Sequence, residues 1–161
     1  MSTVEAVALV KTTNRGDTDL TLGQATMANS LPVAIASDQL VSSNLSILTS
    51  SSRTTTQTQA DQTTANGVRG IKVIVDVTVN GSGGSITPEI DFKDSVSGKY
   101  IALLTGAAIT DTRTVVLTVY PGATAASNLT VNDILPHTWR VLVTANNANA
   151  VTYSVGAVLL V

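Results

Sequence analysis

The stretch Val68-Arg-Gly-Ile-Lys-Val-Ile-Val-Asp-Val-Thr-Val-Asn80 decides the fold. Ile71, Val73, Val75, Val77 and Val79 share one parity, while Lys72, Asp76 and Thr78 fall on the other, with Ile74 the exception. Side chains alternate faces along a strand, so one face is wholly apolar and the other mostly polar. β-Branched residues are stiff at their first torsion and fit a pleated surface. The pattern predicts a long, half-buried antiparallel strand.

Downstream the same rhythm continues. Asn80-Gly-Ser-Gly-Gly84 predicts a hairpin-type loop returning into Ser85 to Lys93. There Ile86, Pro88, Ile90 and Phe92 alternate with Ser85, Thr87, Glu89, Asp91 and Lys93. Asp94 to Gly98 is a turn, and Lys99 to Leu104 a strand with Tyr100, Ala102 and Leu104 on one face. Thr105 to Thr112 is a link. Arg113 to Tyr120 is a strand with Val115, Leu117 and Val119 inward, broken by Pro121-Gly122. Ala123 to Asp133 is the one place where a short helix is expected. His137 to Thr144 carries Trp139, Val141 and Val143 on one face and Arg140 on the other. After a turn at Ala145 to Asn149, Val151 to Val161 closes the chain with Tyr153, Val155, Ala157, Leu159 and Val161 in register. Six strands at short spacing predict an all-β fold, an antiparallel β-sandwich or jelly roll.

Upstream the signal is weaker. Val4 to Val10 reads as a short strand and Lys11 to Asp19 as a polar link. Pro32 removes a backbone donor, so the alternation of Leu31, Val33 and Ile35 suits an edge or exchanged strand. Val41, Leu45 and Ile47 alternate weakly. Thr49 to Asn66 is rich in Ser, Thr and Gln, a flexible linker or a Thr-rich exposed strand. The expected organisation is an extended N-terminal arm over residues 1–50, a linker or edge strand over 51–67, and a β-sandwich over 68–161.

At 161 residues the chain can bury a core without disulfides. It has no cysteine, which excludes thiolate chemistry. Charged residues are 12% and aromatics 3%, yet mean hydropathy is +0.29. Such a surface suits a subunit that hides area in an assembly. A net charge of −2 supplies no basic field for nucleic acid. No apolar run has membrane-spanning length and no basic-start signal peptide is present, so neither a membrane nor a nucleic acid is an expected partner. Arg15-Gly16-Asp17 and the sequons at Asn44 and Asn128 are read as chance matches.

The search for chemistry predicts no enzyme, no cofactor and no metal. His137 is the only histidine, and a nucleophile–base pair has no obvious member beside it. Glu89 and Asp91 share a face but alternate with core residues, which predicts a solvated outer face instead of a glycosidase cleft. Asp91 and Asp94 lack the regular oxygen spacing of a calcium loop. Gly81 to Gly84 leads into a strand, so it is a turn and no phosphate cradle.

Two blocks carry a resemblance. Met27-Ala-Asn-Ser-Leu-Pro-Val33 and Ala36-Ser-Asp-Gln39, within Leu22 to Gln39, resemble a segment of many tailed-bacteriophage structural proteins. Asp94-Ser-Val-Ser-Gly-Lys-Tyr100, Leu103 to Thr110, Val119-Tyr-Pro-Gly122, Asp133 to Arg140 and Thr152 to Gly156 look like a small phage virion domain of β-sandwich type. The resemblance implies a virion protein made in the host bacterial cytoplasm, most simply a capsid decoration (cement) protein. It implies contacts with copies of itself, as a homotrimer, and with the major capsid protein or another virion protein. The arm residues Leu22, Met27, Leu31, Pro32, Val33 and Ile35 are the expected partner contacts. The alternative it implies is a head-fibre or tail-fibre adsorption module binding host glycan.

Overall fold

The computed structural model describes residues 43–65, 67–81 and 83–161. The described residues are all-β, with ten strands in two face-to-face sheets. In chain order these are β1 (Asn44–Arg53), β2 (Gln57–Thr58), β3 (Gln62–Thr63), β4 (Gly70–Val79), β5 (Ile86–Lys93), β6 (Tyr100–Thr105), β7 (Thr114–Val119), β8 (Thr130–Val131), β9 (Thr138–Ala145) and β10 (Val151–Leu160). Sheet I has the order β1-β10-β4-β7-β8. Sheet II has the order β2-β9-β5-β6, with β3 also paired to β9. Every pairing is antiparallel except β7 with β8.

The core is the set of apolar parities folded onto each other. Ile71, Val73, Val75 and Val77 of β4 meet Trp139, Val141 and Val143 of β9, with Tyr153, Val155 and Ala157 of β10 and Leu117 and Val119 of β7 in the same cluster. Burying each such side chain contributes about 1.5–3 kcal/mol, so alternating Val and Ile around Trp139 and Tyr153 supply most of the core. The β5–β6 turn follows the expected chemistry. Asp94 accepts from the Val96 and Ser97 N–H groups, and Gly98 takes a φ of 69°, open to glycine at no steric cost.

Several expectations are corrected. β4 and β5 belong to different sheets, so Asn80 to Gly84 bridges the sheets instead of closing a hairpin. The Asn80 side chain grips Gly84 from both sides, donating to its carbonyl at 2.8 Å and accepting from its N–H at 2.7 Å. No helix forms over 123–133; Ala126 bridges Thr130, Asn128 adopts a φ of 60°, and β8 follows. The boundary expected at residue 50 falls inside β1, because that strand runs to Arg53 along β10. Arg53 anchors its end, donating to the Tyr153 carbonyl at 2.7 Å and lying 4.7 Å from the Tyr153 ring centre. Residues 54–65 carry the short edge strands β2 and β3. Val79 and Val161 share the buried parity but are 54% and 56% exposed: a register shift sets Val79 against the outward Thr152 of β10, and Val161 lies past the end of that strand. A bulge at Leu103 sets Ile90 against Leu104 but Asp91 against Ala102. One extra residue inverts the parity of all that precedes it. Tyr100 and Ala102 therefore share a face with Asp91, while Leu104 alone of the three enters the core.

Candidate functional site

Two outer faces remain after the core is filled, and they differ in kind. On sheet II, Glu89 and Asp91 of β5, Arg140 of β9, and Tyr100 and Thr105 of β6 converge, joined by Asp61 from the β2–β3 connection and Lys93. The Arg140 Nε donates to the Asp91 carboxylate at 2.9 Å. Its guanidinium carbon lies 3.4 Å from the centre of the Tyr100 ring, a cation–π stack. Lys93 donates to Asp61 at 2.8 Å, and the Tyr100 hydroxyl donates to the other oxygen of the same carboxylate. Thr105 donates to Glu89 at 2.7 Å.

The solvated carboxylate pair expected at Glu89 and Asp91 is thus corrected. Asp91 is only 3% exposed, because the bulge brings Tyr100 and its stacked Arg140 over it. Burial pushes the Glu89 carboxyl above its ordinary value, and neighbouring Asp91 pushes it further, against the hydrogen bond from Thr105. The Lys93 and Tyr100 donors hold Asp61 below the usual carboxylate range. Catalysis by a carboxyl pair needs both groups open to a substrate. Here Arg140 occupies Asp91 and Thr105 occupies Glu89. The cluster works as a stitch binding the 54–65 segment to β5, β6 and β9.

His137 is exposed, and its carbonyl accepts from the Thr64 N–H at 2.7 Å. Asp94 is spent on its own turn, where the Ser97 hydroxyl and the Ser97 and Val96 N–H groups lower its pKa. Among the described residues, no group of three or more His, Cys, Asp or Glu is placed to hold a metal, and no helix is long and apolar enough to cross a membrane. Of the aromatics a glycan would need, Trp139 and Tyr153 are buried, Tyr100 lies under Arg140, and the Tyr120 hydroxyl donates to the Val161 carbonyl at 2.9 Å.

The outer face of sheet I is the opposite case. Its central row runs Val116–Ile74–Gly156 across β7, β4 and β10. The row on one side is Thr118–Lys72–Val158, and on the other Thr114–Asp76–Ser154. Val116 is 40% exposed, and Thr114 donates to Asp76 at 2.7 Å. A shallow groove of about 450 Å³ runs between β1 and β10, floored by Ser46, Ser154 and Gly156. A second, of about 330 Å³, lies between Lys72, Tyr120 and Leu160.

The expected partner residues Leu22, Met27, Leu31, Pro32, Val33 and Ile35 lie outside the described residues. What the sequence did not signal is the Arg140–Asp91–Tyr100 stack. Arg140 opposite Trp139 and the shared parity of Glu89 and Asp91 were its only traces, and the bulge that completes it left none. No protein-family model matches the chain, and no curated protein matches it.

Proposed function

We propose that the chain is a non-enzymatic structural protein of a tailed-phage particle, a head decoration protein that docks through its N-terminal segment. The observation that carries the reading is how the ionisable groups are spent. In the described domain the clustered carboxylates, with Arg140, Lys93 and Tyr100, bond to one another, while the face of sheet I is left almost uncharged. A surface of that kind works by area and multivalency, without turnover. The two phage-like sequence blocks supply the particle, and the first of them, within Leu22 to Gln39, supplies the docking segment. The glycan-binding alternative has less support, because Trp139 and Tyr153 are buried and Tyr100 lies under Arg140, which leaves Tyr120 alone at a groove.

The test compares the full chain with a version starting at Ser43 in binding to undecorated heads, alongside electron-microscopic localisation on intact particles. The full chain is expected on the head exterior, and the shortened one to fold but lose binding. Full-affinity binding by the shortened chain would remove the docking role of residues 1–42. Density only on a tail or fibre would remove the head assignment.

A further inference from the structure

We infer that the outer face of sheet I is a two-fold interface between copies of this chain. The inference stands on the face itself and does not depend on the virion reading. Lys72 and Asp76 lie two residues to either side of Ile74 on β4, and both point outward. A two-fold axis lying along the row Val116–Ile74–Gly156 sets two such faces together with their β4 strands antiparallel. Lys72 of each copy then faces Asp76 of the other, twice, and the apolar row meets its own image. The arrangement satisfies its own charges without any other partner, as an isologous contact requires.

The rest of the face agrees. The outward residues of β10 are Thr152, Ser154, Gly156, Val158 and Leu160, all uncharged, and those of β7 are Thr114, Val116 and Thr118. An exposed sheet face of a solitary domain is ordinarily polar, and Ile74, Val116, Val158 and Leu160 interrupt that pattern here. Gly156 lies opposite Ser46, where the β1–β10 register shifts, and a Cβ there would meet nothing nearer than the Leu45 carbonyl oxygen at 3.7 Å, so the centre of the row is low and open to close approach. Four strands about 4.8 Å apart and roughly eight residues long present on the order of 500 Å² of sheet. That is below the about 800 Å² per partner of a stable interface, so the dimer is a weak one.

Sedimentation velocity of the full chain from 5 µM to 1 mM, at about the ionic strength of 0.15 M salt, tests it. A concentration-dependent dimer is expected. Lys72→Asp and Asp76→Lys are each expected to weaken it about tenfold, and the double reversal Lys72→Asp/Asp76→Lys to restore it. Val116→Lys is expected to abolish it; circular dichroism and thermal melting confirm that each variant folds, since all three positions face out. A monomer at 1 mM overturns the inference. So does an oligomer of any order that ignores the single reversals, or singles and double weakened alike.

Discussion

Removing the guanidinium of Arg140 should be among the most damaging single changes on the sheet II face. Asp91 is 3% exposed, and the described bond to its carboxylate comes from Arg140 Nε at 2.9 Å. Arg140→Met keeps the apolar stem and leaves the carboxylate buried without its cation. Breaking a buried pair from one side costs about 3–5 kcal/mol. The Arg140 side chain is 20% exposed, so water reaches part of the site, and the lower end, about 3 kcal/mol, is the better figure. Loss of the stack on Tyr100 adds about 0.5–1 kcal/mol. For a domain of this size that lowers Tm by about 10 °C. Asp91→Asn should cost only about 1 kcal/mol, because the amide oxygen still accepts and Arg140 can turn toward solvent. The asymmetry is the signature of a buried acid held by a half-exposed base. Denaturant unfolding of the two singles and the double closes a cycle, with a coupling of about 2 kcal/mol expected. If the singles add to within 0.5 kcal/mol, or Arg140→Met costs less than Asp91→Asn, the stitch described above does not exist.

Two further changes probe the interior. Tyr153 is 1% exposed, its hydroxyl has no described hydrogen-bond partner, and burial raises its pKa. Tyr153→Phe should therefore leave stability unchanged or raise it by up to about 1 kcal/mol, with Arg53 still over the ring; a loss beyond 1 kcal/mol in thermal melting would mean the hydroxyl is bonded. The Glu89 carboxyl is raised above its ordinary 4.5, first by burial and then by Asp91, so its protonated form stabilises the fold. That contribution is full below pH 4.5 and is lost as pH rises through the folded value. Glu89→Gln, which still accepts from Thr105, should gain on the native protein as pH climbs above 4.5 and then level off; a flat difference from pH 4 to about 7 would refute the burial argument.

What the sequence disclosed, and what it withheld, divides along a physical line. Alternation reports which way a side chain points, and the parities of β4, β9 and β10 named the core correctly from Ile71 to Val77, Trp139 to Val143 and Tyr153 to Leu159. Alternation does not report which strand lies alongside. Asn80 to Gly84 suits a hairpin or a bridge between sheets equally, and the difference is settled by what β10 and β9 offer as neighbours. The bulge at Leu103 is likewise a property of the β5–β6 pair, invisible in either strand alone. Most of what was missed on the sheet II face follows from that single extra residue, since it alone turns Tyr100 outward under Arg140.

The two faces also explain why so little charge is enough. A sandwich with only 12% charged residues cannot make both outer faces repel strangers. This chain locks Asp61, Asp91, Lys93 and Arg140 into ion pairs on sheet II, where Lys93 and the Arg140-stacked Tyr100 hold Asp61 and so fix the 54–65 segment beside β9. Sheet I is left with Lys72 and Asp76 around an apolar row, too few to keep another sheet away and spaced to accept one in a single antiparallel register. An added positive charge at Ser154 or Val158 should disrupt any assembly built on that face. On the proposed reading, the bare face is the one that an assembling subunit needs.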